Sequence, residues 1–365
     1  MATMQHNSQN PTRVILAIAA KDITDGIRNM NTLIVVAVVL FMLIFYRYLS
    51  ALDYDAGRPT LYVFDRGSSA LVRGWKTNQL FSVHQTSSAS ILLAVVGEGL
   101  YPELGISIPA DFEEQISKSS TVTVQGYTVY WLEQADIDQL TARFERLVAE
   151  TSGTTAAVQV KIERLYPQPG AWGVGMTVGI GLVFTQVMIG ISLIPHLMFE
   201  EKQFKTLDAL LVSPAGPMQV TLGKALAGWF YGLMAGAVWL AINWTFFTCG
   251  WAAVAAVLIC SPLIVCVGLI MGTLFENRQQ YSVWAWVVAL VLFVPLFLGL
   301  EISIFPDWLT ATMHSLPSWT MFSITNHALT EQLDWGRFLT QGGLLILYLI
   351  LLVSLEAWLL RRTDR

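Results

Sequence analysis

Charge is scarce in this chain. Of 365 residues, 13% are Asp, Glu, Lys or Arg and 54% are hydrophobic, about half the charge an ordinary soluble domain carries. That shortage excludes a water-soluble fold for most of the length. Cysteine is nearly absent as well. Cys249, Cys260 and Cys266 all lie in or beside apolar runs, and residues 50–170 contain none, so no internal disulfide can brace that stretch.

Several chemical signatures are missing too. No G-x-x-x-x-G-K-[ST] loop occurs, which removes that route to binding ATP. No G-x-S-x-G elbow and no Ser-His-Asp arrangement can be read, so no catalytic residue is expected and the chain does not read as an enzyme. His6, His84, His196, His314 and His327 show no paired spacing with Cys or carboxylates. Each reads as a surface or interfacial histidine, and no metal site is expected. Charge at the centre of the apolar runs is lacking: Arg47, Glu301 and Glu356 lie near run ends, where long side chains snorkel to water. A proton- or sodium-driven carrier keeps an ionisable residue or a broken helix near the midplane. The drive for any transport therefore comes from elsewhere.

What is present is a set of apolar runs, each about long enough to cross a bilayer. Six spans are expected, at roughly 32–49, 171–198, 223–248, 251–275, 281–303 and 338–360. Lys202, Lys205, Lys224, Arg278, Arg361, Arg362 and Arg365 all fall on one side if both termini are cytoplasmic, as the positive-inside rule asks. Residues 50–170 and the loop at 304–337 then face outward. The first span also resembles a secretory signal, but Tyr46, Arg47 and Tyr48 before its weak cleavage site favour an uncleaved anchor.

The outward insert holds 14 acidic and 9 basic residues, the whole of the chain's net charge of -5, which argues against nucleic-acid binding. Leu61–Phe64 and Ile91–Val96 read as short buried strands, and Thr121–Val124 and Val158–Glu163 as half-buried ones. Asp136–Glu150 puts Ile137, Leu140, Phe144, Leu147 and Val148 on one helical face, and Asp111–Lys118 is a shorter helix after Pro109. A compact α/β domain follows.

Glycines recur every four residues, Gly175 and Gly179 in the second span and Gly228, Gly232 and Gly236 in the third. Such spacing lets helix backbones approach closely, within one subunit or between two, with the first favoured. Pro195, Pro262 and Pro295 interrupt spans and are expected to kink them. Trp172, Trp251, Trp308, Trp319 and Trp335 fall near outer span ends, as an aromatic belt does. The 304–337 loop mixes apolar and turn residues, and suits short helices dipping into the outer leaflet or an amphipathic cap.

The most informative stretch is Glu200–Pro214. Phe204, Leu207, Leu210 and Leu211 line one face of a short helix, with charges opposite, and Ser213-Pro214 stops it. Such a helix can press into a groove on another protein or lie among lipid headgroups.

Taken together these pieces resemble the permease subunit of an ABC-2 type exporter, in its longer form, over nearly the whole chain. The resemblance rests on Ala17–Ile23, similar to the family's cytoplasmic elbow helix. It rests also on Leu61–Gly67, on Gly105–Glu113 with its Pro-x-Asp-Phe turn, and on Thr206–Pro214 followed by Leu222-Gly223-Lys224. Many members have Gly where this chain has Lys205, and a basic residue soon after Ser-Pro where this chain has Ala215-Gly216-Pro217.

The resemblance implies a membrane all-α six-helix transmembrane bundle with an inserted extracytoplasmic α/β domain. Residues 1–31 form the tail and elbow helix, 32–49 the first span and 50–170 the inserted domain. Residues 171–360 form five spans with a coupling helix at 200–214, and 361–365 a cytoplasmic tail. Glu201, Lys202, Phe204, Thr206, Leu207, Asp208, Leu210 and Leu211 would dock an ATPase subunit. ATP and Mg would sit on that partner, with no cofactor on this chain. A second permease, identical or paralogous, would complete the assembly in a prokaryotic inner membrane. The cargo is expected to be hydrophobic or amphiphilic. A membrane-anchored extracytoplasmic binding or sensory protein, and a secondary carrier, are the competing readings.

Overall fold

The computed structural model describes residues 11–49, 58–118, 121–153, 158–167, 173–203, 217–275, 277–298 and 306–363. The chain opens with α1 (Pro11–Arg28), an amphipathic helix that buries Ile18, Ala19, Asp22 and Gly26. These fall at helical spacing on one stripe, while Leu16 and Ile27 remain exposed. After Asn29, α2 (Met30–Leu49) runs for 20 residues, and its Val39 joins the bundle core.

The insert folds around one five-stranded sheet. Its elements are β1 (Thr60–Asp65), α3 (Ala70–Gly74), β2 (Ser82–Gln85), α4 (Ala89–Gly97), β3 (Leu104–Ile108), α5 (Phe112–Ser117), β4 (Val122–Val129), α6 (Gln134–Ser152) and β5 (Val158–Leu165). Strand order is β2-β1-β3-β4-β5. Only the β3–β4 pair is antiparallel. Leu61, Val63, Ile106 and Val124 point to one face, where Trp75 meets Phe112 and Phe144 edge-on at 6.2 and 5.6 Å. The face of α6 that covers them carries Ile137, Leu140, Phe144, Leu147 and Val148, the residues its helical period predicts.

One expectation fails here. Ile91–Val96 is helical, inside α4, and not a strand. A short apolar run reads equally as a buried strand or a buried helix. The local sequence decides it: Ser88 caps the helix by accepting from the Ile91 N–H at 3.2 Å. The topology agrees, because β1 and β3 are parallel and need a crossover between them. Leu92 and Val96 of α4 lie against Gly105, where a Cβ would come within 2.7 Å of Val96, so α4 covers the second face.

The bundle follows: α7 (Val174–Met188), a π turn (Ile189–Leu193), α8 (Ile194–Gln203), α9 (Pro217–Asn243), α10 (Gly250–Leu274), α11 (Arg278–Leu298), α12 (Asp307–Ser315), α13 (Pro317–Asn326) and α14 (Trp335–Thr363). Among the described residues, five segments are long and apolar enough to cross a membrane: Val174–His196, Met218–Phe246, Gly250–Leu274, Arg278–Leu298 and Trp335–Arg362. The second and third of the span prolines do not break their helices. Pro262 and Pro295 lie inside α10 and α11, which continue through them. Residues 307–329 are helical except at Leu316, and α13 is buried, with Met321, Phe322 and Ile324 in the core beside α7.

Three side chains sit differently from expectation: His327, expected at a surface or interface, is buried at 5% exposure, and Glu356 and Trp319 differ as well. Glu356 does not snorkel: it is 6% exposed and accepts from the Thr273 hydroxyl at 2.9 Å. Its place on α14 faces α10, so packing holds it inward. Trp319 is buried, stacked on His314 at 4.2 Å, whereas Trp251, Trp308 and Trp335 are exposed as a belt requires. Trp172, Arg47's side chain and Glu301 lie outside the described residues.

Candidate functional site

Around Pro195 and Lys224, three places in the bundle join helices through polar contacts or close packing. The expected docking helix cannot be placed among them. Phe204, Thr206, Leu207, Asp208, Leu210 and Leu211 lie outside the described residues, and Glu201 and Lys202 fall on the last turn of α8, their side chains undescribed. What the structure does place is the frame on either side: α8 ends at Gln203 and α9 starts at Pro217.

The first joint ties α1 to the start of α9. Lys224 and Asp22 form an ion pair at 3.2 Å with both side chains buried. Next along α9, the Tyr231 hydroxyl donates to the Ile23 carbonyl at 2.8 Å. Gly223 leaves room for Ile18, whose Cγ2 would stand 2.6 Å from an added Cβ. Such a pair is costly to desolvate and is held by close geometry. The sequence placed Lys224 as a topogenic charge and in the Leu222-Gly223-Lys224 piece of the resemblance; its burial against Asp22, 202 residues away, is a tertiary fact.

The second place is the middle of the bundle. Gln186 is 1% exposed and donates to the Gly232 carbonyl at 3.2 Å. All five glycines singled out by spacing face side chains of the same chain. Cβ atoms added at Gly179, Gly228 and Gly232 would come within 2.5 Å of Phe322, 3.0 Å of Ile194 and 3.2 Å of Ser261. Gly236 faces Val257 and Gln186, and Gly175 faces Asn326 at 3.6 Å. Gly190 and Gly268, on the π turn and α10, also meet backbone to side chain and backbone. They were not legible, because their partnership runs across two helices rather than along one.

The third place is the joint at Pro195. Proline has no N–H, so Pro195 cannot donate to the Ile191 carbonyl four residues back. The Tyr281 hydroxyl on α11 donates to that carbonyl instead. A π turn directly precedes the proline, and such turns often mark functional positions in helices. Beside the joint opens a cleft of about 280 Å³ between the α7–α8 joint and α11. Phe199 and Tyr281 pack at its edge, rings 5.0 Å apart.

The insert is fastened to the bundle by its own contacts. Tyr130 donates its hydroxyl to the Phe246 carbonyl, and Trp131 meets the Phe246 ring edge-on at 5.4 Å. The α9–α10 corner is in turn pinned by the Thr248 and Cys249 N–H groups, both 3.1 Å from the Ala328 carbonyl.

A bundle of long apolar helices with an inserted α/β domain defines a multipass membrane protein. Its residues 32–359 match the model of the family described as "ABC-2 family transporter protein". The match spans most of the chain, which therefore belongs to that family: the membrane component of a transporter, the permease class. No curated protein matches it.

Proposed function

We propose that this chain is the transmembrane permease subunit of an ATP-driven exporter. It moves a hydrophobic or amphiphilic substrate outward, on energy supplied by a separate ATPase subunit. The observation that carries this is the family match over residues 32–359. The chain's own inventory is compatible with it, since the sequence has no phosphate-cradling loop.

In this reading α2 is the first of six spans. Both termini and the α8–α9 connection are cytoplasmic, and the insert and α12–α13 lie outside. Glu201, Lys202, Phe204, Thr206, Leu207, Asp208, Leu210 and Leu211 form the docking helix beneath. A second permease, identical or paralogous, pairs with this one in a prokaryotic inner membrane, and ATP with Mg stays on the ATPases.

Force from the docking helix enters α9 at Pro217, and the buried Asp22–Lys224 pair makes α1 follow. The Pro195 joint lets α8 pivot on α7 while Tyr281 keeps α11 attached. Transport in vesicles tests the energy source. Uptake should stop when ATP is depleted and persist when an ionophore collapses the ion gradients. The reverse pattern would make the chain a secondary carrier.

A further inference from the structure

The cleft beside Pro195 has two kinds of wall. Ile191, Phe199 and Trp286 line it with apolar surface, and Trp286 is 74% exposed. Arg278, Ser192 and Ser282 add hydrogen-bonding groups, with His196 beside them. No carboxylate occurs among the described residues of the lining. Arg278 is the first residue of α11, so its charge adds to the partial positive charge of that helix end. A guanidinium stays charged and offers five donors in a planar fork suited to carboxylate or phosphate. Arg278 is the full charge among the described lining, so an anion is favoured over a cation there, and a purely apolar molecule would leave the guanidinium and hydroxyls unused. The volume, about 280 Å³, is at the small end of ligand pockets, enough for a head group and the first part of a tail.

We propose that this cleft binds an anionic amphiphile, its carboxylate or phosphate head on Arg278, Ser192 and Ser282 and its apolar body along Ile191, Phe199 and Trp286. This deepens the transport reading above and rests on it only for calling the occupant cargo. An anionic membrane lipid supplies the same chemistry.

The test uses the purified permease without any ATPase, in phosphatidylcholine nanodiscs at pH 8, with a diazirine-bearing palmitate as probe and its methyl ester as the neutral control. The acid should label peptides spanning 188–199 and 281–289 saturably, and the ester should label diffusely. Arg278→Ala should cut site labelling about tenfold, the loss of one charge-assisted contact, and Arg278→Lys should retain most of it. Adding phosphatidylglycerol to the discs sorts the source: competition identifies a bilayer lipid, and its absence identifies a separate amphiphile, the site's chemistry standing in both cases. Identical maps for acid and ester, or wild-type labelling in a well-folded Arg278→Ala protein, would overturn the proposal. Because no ATPase is present, failure of docking leaves this result untouched.

Discussion

The Tyr281 hydroxyl donates to the Ile191 carbonyl, the acceptor to which Pro195 cannot donate. A donor that the proline cannot supply is thus provided by a side chain from another helix, and α11 becomes part of the α7–α8 joint. Tyr281→Phe keeps the ring packing on Phe199 and removes only the donor. It should lower stability by about 1–3 kcal/mol, the cost of an unsatisfied buried acceptor. Pro195→Ala restores an N–H four residues beyond Ile191, so in that background the Tyr281→Phe penalty should shrink by about 1 kcal/mol. Thermal unfolding of the four proteins reads the coupling; equal penalties in both backgrounds would show that the hydroxyl does not serve this carbonyl.

The Asp22–Lys224 pair supports a second expectation. Both partners are buried, so removing one takes the buried counterion from the other and should cost about 3–5 kcal/mol, whereas removing both should be much less harmful. Asp22→Asn and Lys224→Met are therefore each expected to lower the unfolding midpoint more than the Asp22→Leu/Lys224→Met double variant. If the double variant is the worst of the three, the pair contributes in another way.

Acid should stabilise the insert through Glu103. Burial pushes its carboxyl pKa up from 4.5 to about 7, and Glu103's charge in turn helps burial raise the pKa of the Tyr62 phenol. The folded state then holds this proton more tightly than the unfolded chain does. Stability is therefore highest below about pH 4.5, falls as pH rises toward about 7, and is flat above for this group. Glu103→Gln should flatten that part of the pH profile of the unfolding midpoint. An unchanged slope in the variant would assign the effect to other groups.

Much of the architecture was legible because it rests on local pattern. The helical period of Asp136–Glu150 named all five residues that α6 buries, and long apolar runs named the bundle. Ile91–Val96 misled because six apolar residues carry no period, and Ser88, the cap that settles the matter, is informative only once a helix is supposed. Glu356 misled for another reason. Its position near a helix end suggested water, but which way it faces depends on Thr273 of a different helix. The partners of Lys224, Gln186 and Tyr281 were unreadable on the same ground: each contact joins residues far apart in sequence, and a lone polar residue in an apolar span does not announce its acceptor.

The central claim is that energy reaches this bundle through the segment between α8 and α9, and one variant tests it most directly. Leu210→Asp places a charge on the expected docking face without altering any membrane span. The permease should insert and accumulate normally, yet fail to co-purify with the ATPase and fail to alter its hydrolysis rate. A Leu210→Asp permease that still binds and stimulates the ATPase like the wild type would contradict the account.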